Sequence, residues 1–183
     1  MLKQCGQVED EILINVGVCV INRNRRLESF GYEFLVLCPN CNQKSKVISL
    51  GDPSPYKTDI GRRFICLNCG MNKEFYARKN CFNHAIISYG VNWKDGFINI
   101  GGLFDWYFGY PLYLQIPCCG HILWAYNLEH LDYIKQYIEA ELRGDRPYYL
   151  SVESRLPLWM KSAKNREPVL KAIQKLEQKA CGK

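Results

Sequence analysis

Apolar residues along this chain follow two rhythms, and the change between them falls near residue 127. Ahead of that point the apolar runs are short, rich in β-branched and aromatic residues, and separated by turn formers. Residues 12–21, 30–37, 44–50, 62–65 and 73–78 therefore read as strands. Asn22 to Arg26 has turn chemistry, which predicts an N-terminal hairpin of 12–21 with 30–37, and Gly51-Asp52-Pro53-Ser54-Pro55 predicts a turn between the next pair. Gly17 marks a bulge or a close backbone approach in the first strand. From 89 to 113 glycine and aromatic residues mix without helical period, which predicts strand and loop. Residues 110–116 and 122–125 then form a hairpin bent at Pro117-Cys118-Cys119-Gly120.

After residue 127 the period becomes helical. Asn127 is a good N-cap, and Leu128, Leu131, Ile134, Ile138 and Leu142 recur at three- and four-residue steps up to Arg143-Gly144. Leu156-Pro157-Leu158-Trp159-Met160 predicts a short helical turn. A last helix is expected from about Asn165 to Ala180, with Pro168 in its first turn and Val169, Ile173, Leu176 and Ala180 on its apolar side. The predicted fold class is α+β: an N-terminal β-rich zinc ribbon, a mixed strand region and two C-terminal amphipathic helices. Residues 1–88 would hold the hairpin and ribbon, and 89–183 the aromatic hairpin region and helices as one compact unit.

The ribbon expectation comes from the cysteines. Cys38-Pro39-Asn40-Cys41 and Cys66-Leu67-Asn68-Cys69, followed by Gly70, each place two thiols on one tight turn. Zinc takes four soft or borderline ligands at tetrahedral corners, so two such turns on neighbouring strands close a structural site with no open coordination position. One structural Zn2+ is therefore expected on Cys38, Cys41, Cys66 and Cys69. Unrelated buried cysteines, or a redox pair, are the competing explanations. A second metal site is conceivable from Cys81 and His84 with Cys119 and His121. His121, Asn127 and His130 invite comparison with histidine-metal nucleases, but they stand closer together than that motif usually places them, and Asn127 already serves as a cap. With no phosphate loop, nucleophile elbow or paired metal carboxylates, no catalytic residue is named and the chain leans away from an enzyme.

Composition narrows the setting. The 183 residues include ten cysteines, yet the N-terminus has no secretory signal pattern and residues 12–21 are too short to span a membrane. A reducing cytoplasm follows. A net charge of +6 favours polyanions without requiring them. The clustered cations are Arg23, Arg25 and Arg26 in the first turn, Arg62 and Arg63 on the ribbon, and Lys171, Lys175 and Lys179 on one face of the last helix. Trp93, Trp106 and the tyrosines near them could stack on bases or meet a protein partner, although rings at this density more often fill a core.

The ribbon cysteines together with Tyr110-Pro-Leu-Tyr-Leu114, Gly120-His-Ile-Leu-Trp-Ala-Tyr-Asn-Leu-Glu-His-Leu131, Glu139-Ala-Glu-Leu-Arg143 and the stretch from Leu156 to Arg166 resemble a group of small bacterial proteins. That group is labelled as containing a transcription-factor-IIB-type zinc ribbon. The resemblance implies architecture and four metal ligands, and no activity. The expectation is a non-enzymatic module that binds nucleic acid or a nucleic-acid-processing complex. The alternative is an adaptor or toxin antagonist meeting a protein partner through the aromatic middle, and a metal-dependent nuclease or hydrolase stands third. No membrane association and no small-molecule substrate are expected.

Overall fold

In the computed structural model of the chain, residues 25–51, 61–89, 96–140 and 151–182 are described. The predicted strand at 12–21, Arg23, Trp93, residues 52–55 and the stretch 142–144 lie outside them. Four short strands, β1 (Glu33–Leu37), β2 (Lys44–Ser49), β3 (Arg62–Ile65) and β4 (Asn72–Phe75), form one antiparallel sheet in chain order. Lys44 pairs with Leu37, and Asn72 with Ile65, so each cysteine pair sits in the turn of a hairpin. The sequence assigned residues 30–37 a partner at 12–21. In the structure their ladder partner is β2, and Phe30 belongs to a 3₁₀ turn (Leu27–Phe30) that precedes the strand. The outer edge of β1 is covered by later chain: Leu35 N–H donates to Tyr126 O, Leu37 N–H to Pro111 O, and Tyr113 N–H to Leu35 O. A buried edge must find such acceptors and donors, which is why the aromatic middle runs alongside β1.

Two further strand pairs follow. β5 (Ile87–Tyr89) and β6 (Ile98–Ile100) lie parallel, a pairing the sequence did not announce. β7 (Leu114–Cys118) and β8 (His121–Ala125) make the expected hairpin. Its two turn residues, Cys119 and Gly120, both have positive φ, at 51° and 76°, as a tight hairpin turn demands.

The helical third is α1 (Leu128–Glu139), α2 (Val152–Arg155), α3 (Leu158–Lys161) and α4 (Arg166–Ala180), with α4 packed against α1 and β7. Asn127 caps α1 by accepting from His130 N–H, and its own amide donates to Phe30 O and Glu33 O, which fixes the helix start to β1. α1 ends at Glu139, three residues before the Leu142 of the predicted stripe.

Two cores result. Phe30, Phe34, Phe64, Phe75, Trp106, Tyr107 and Tyr126 build an aromatic one, whereas Leu114, Leu123, Leu131, Ile134, Ile138, Val169, Ile173 and Leu176 build an aliphatic one. β1 stands between them, with Phe34 and Val36 in the first and Leu35 in the second, as period-two alternation requires. The chain is thus α+β with antiparallel strands and C-terminal helices. Among the described residues no helix is long and apolar enough to cross a membrane.

Candidate metal centre

The two cysteine turns share one backbone construction. In the first, Cys38 N–H donates to Gln43 O at 2.9 Å and Asn42 N–H donates to Cys38 O at 2.8 Å. In the second, Cys66 N–H donates to Met71 O at 2.9 Å and Gly70 N–H to Cys66 O at 3.0 Å. The residue just after the second cysteine is left-handed in both, Asn42 at φ 56° and Gly70 at φ 72°. Glycine adopts that region freely, and asparagine is one of few other residues that tolerate it, so the local sequence specifies the turn. Pairing of β2 with β3 then brings the two turns to the same end of the sheet.

The result is a cluster in which one sulfur from each of Cys38, Cys41, Cys66 and Cys69 lies within 4.8 Å of the others. Cys38 Sγ is 3.6 Å from Cys69 Sγ, and Cys41 Sγ is 3.5 Å from Cys66 Sγ, so each close contact joins one turn to the other. A tetrahedron of thiolates about 2.3 Å from a zinc ion has edges of about 3.8 Å, close to these separations. All four cysteines are free, with Cys38 and Cys66 buried, Cys41 half-buried and Cys69 exposed. The donor set, four sulfurs with no carboxylate or water position among them, fits a soft or borderline ion held for structure.

Polar groups around the sulfurs reinforce this. Asn40 N–H donates to Cys38 Sγ at 3.4 Å. The Asn40 side chain, on the first turn, hydrogen-bonds Cys69 on the second and pulls its thiol below the ordinary value. Asn68, on the second turn, reaches back to Cys41, where burial and the neighbouring Cys66 and Cys69 thiols outweigh its pull and push that thiol up to about 11. The buried Ser45 hydroxyl is the main influence holding Cys66 down, at about 6. Hydrogen bonds to the charged form favour it, so these amides and this hydroxyl are suited to carry thiolate charge. Sequence reasoning passed over Ser45, Asn40 and Asn68. The signal for the last two was present, since asparagine occupies the same position in both Cys-x-Asn-Cys turns.

No family model, curated protein or solved structure matches this chain.

Other sequence-predicted groups fare differently. Among the described residues the cysteine cluster is the one group of three or more Cys, His, Asp or Glu side chains in ligating proximity. Cys81 and His84 are exposed on the turn at 80–84, and Cys119 and His121 are exposed at the tip of the β7–β8 hairpin, so the suggested second metal set is not assembled. His121 stacks on Trp159 at 5.0 Å instead, and His130 is buried against Phe30 and Tyr126. Among the described residues no histidine joins a group of three or more ligating side chains, so the clustering that the nuclease reading needs is not seen there.

Several expected cations have local work. Arg25 pairs with Glu129 at 2.6 Å and lies 4.0 Å over the Phe30 ring. Arg26 is half-buried, and Arg62 is buried, donating to Ser49 and stacked over Tyr107. Arg63 pairs with Glu74, and Lys171 with Glu167, each at 2.6 Å. Lys179 donates to Tyr113 O and covers that ring, whereas Lys175 is exposed and forms no ion pair among the described residues. Of the described aromatic middle, Trp106 and Tyr107 are buried and Phe104, Phe108, Tyr110 and Tyr113 are half-buried, and Trp106 donates to the Tyr126 hydroxyl at 2.9 Å. Buried Asp105 organises this segment by accepting from the N–H groups of Tyr107, Phe108 and Tyr110.

Proposed function

We propose that this chain is a non-enzymatic zinc-ribbon module, of the transcription-factor-IIB type its sequence resembles, that binds nucleic acid or a nucleic-acid-processing complex in a reducing cytoplasm. Cys38, Cys41, Cys66 and Cys69 would hold one structural Zn2+. The observation that carries the reading is the closure of four thiols from two matched turns onto one point. Four sulfurs fill a tetrahedral ion, so the metal supplies folding free energy and leaves no position for substrate or activated water. A reducing compartment keeps the thiols available as ligands.

Support for a polyanion partner comes from the edge of the sheet. Exposed Lys73 on β4, and Lys79 shortly after it, have no ion-pair partner among the described residues. Tyr76 is 65% exposed and Phe82 is 76% exposed in the same stretch of chain. Aromatic rings interleaved with free cations are the usual means of holding a single strand, by stacking and by neutralising phosphates. These residues add to Arg63, Lys171 and Lys175, which are also exposed.

Two measurements test the reading. Elemental analysis of the purified full chain should give one zinc per chain. Fluorescence anisotropy with unrelated single- and double-stranded DNA and RNA across a salt series should show affinity falling log-linearly with salt. Absence of binding at low salt would end the nucleic-acid reading. A protein partner would then be the reading to pursue, by pull-down with the metal-loaded full chain.

A further inference from the structure

Away from the cysteines, a cavity of about 140 Å³ lies between β8, the inner face of α1 and the α2–α3 segment. Its apolar walls include Ile134 and Met160 from the aliphatic core and the rings of Trp124 and Trp159. The two indoles are held from behind. Trp159 stacks on His121 at 5.0 Å and 11°, and Trp124 stands edge-on to His130 at 5.9 Å and 73°. Flat aromatic walls set around a space of this size suit one planar ring, because an apolar cavity near 150 Å³ is large enough to admit benzene.

One imidazole on the wall keeps a donor with no protein acceptor among the described residues. His130 is 2% exposed and lines the cavity, and its Nδ1 accepts the Tyr126 N–H at 3.3 Å. The ring proton therefore sits on Nε2, and among the described residues nothing accepts it. On the wall of a mostly apolar cavity this donor offers a ligand one directed hydrogen bond. Burial, aided by the charge of Arg25, pushes the imidazole down to about 3, so Nε2–H remains a neutral donor at physiological pH. Exposed Arg155 stands at the rim.

We infer that this cavity binds a small, planar, single-ring aromatic molecule carrying an oxygen acceptor, the ring lying between the tryptophans and the oxygen accepting from His130 Nε2–H. The occupant is neutral and largely apolar, since His130 supplies one hydrogen bond and no charge. Affinity comes from ring burial and selectivity from the oxygen: a hydrocarbon of the same shape leaves the donor unsatisfied.

Acetophenone and its hydrocarbon isostere α-methylstyrene separate these contributions. Each is titrated into the zinc-loaded full chain, followed by ¹H–¹⁵N spectra with the indole signals of Trp124 and Trp159 as reporters. Saturable shifts of both indoles are expected, with acetophenone binding roughly tenfold tighter, the size of one net hydrogen bond. His130→Phe should bring the two affinities together. Leu156→Trp, a change at a half-buried residue of the cavity wall, should weaken both probes and serves if His130→Phe does not fold. Equal affinities in the unaltered protein, shifts that do not localise to the two indoles, or no saturable binding at millimolar probe would overturn the inference.

Discussion

The cysteine-bearing sheet and the helix pair solve the same problem by different means. In α1 and α4 every interior backbone group is satisfied within its own segment, and a continuous aliphatic seam from Leu131 to Ile138 meets Val169, Ile173 and Leu176. The sheet has strands of four to six residues, and along β4 the side chains of Asn72, Lys73 and Glu74 are exposed. Beyond β1 the sheet buries mainly one face, so it draws on rings from distant chain, Trp106, Tyr107 and Tyr126, and on a cluster of four thiols at one end. Ordinary burial is enough where the elements are long, and small β modules need a staple.

The largest effect that could break this contrast is metal removal. Chelation, or Cys66→Ser, should remove stabilisation on the order of ten kcal/mol from the cysteine-bearing sheet, and protection from amide exchange should collapse in β2 to β4 well before it does in α1 and α4. An apo protein with native near-UV circular dichroism would refute the clamp. Next in size, Ile173→Ala, at a fully buried site between the helices, should cost roughly 2–5 kcal/mol in urea unfolding with metal content unchanged. If the metal were lost as well, the two regions would be one cooperative unit through β1.

Asp105→Ala should cost roughly 3 kcal/mol, because three N–H groups of the 105–110 segment lose their acceptor together, and Trp106 fluorescence should report the loosening. A change in the aliphatic core alone would contradict that placement.

His130 gives the helix side a pH dependence. Its folded pKa of about 3 lies below the unfolded value of 6.5, through burial first and Arg25 second, so the unfolded chain binds the extra proton. Stability is complete above pH 6.5 and is lost as pH falls toward 3, at up to about 1.4 kcal/mol per pH unit. His130→Phe should remove the imidazole's share of that slope between pH 6 and 4.5, and an unchanged slope would contradict its burial in the neutral form. Smallest in stability, Asn68→Ala should leave folding with excess zinc near native yet lower metal affinity roughly tenfold, measured by competition with a chromogenic chelator. No change would reduce the reciprocal amides to bystanders.

The helices, the β7–β8 hairpin and the four thiols were legible because each is written in local chemistry: Asn127 as a cap, a period near 3.6, two Cys-x-Asn-Cys turns with a left-handed residue after each. The partner of β1 was not, since hydrogen bonding along a strand edge carries no signature in the strand itself; pairing with 12–21 and pairing through the cysteine turn use equally good β-formers.

By itself, then, the sequence determined the α+β class, the C-terminal helical pair and the set of four cysteines that cluster, all of which depend on periodicity and short spacings. Tertiary structure decided which charges stay free, since Arg25, Arg62 and Lys179 look alike in sequence and differ only in the rings and carboxylates that distant chain brings to them. It also decided that Trp106 lies in a core, that the histidines are scattered, and that His130 lines a cavity, because burial is a property of the whole packing and of no single segment.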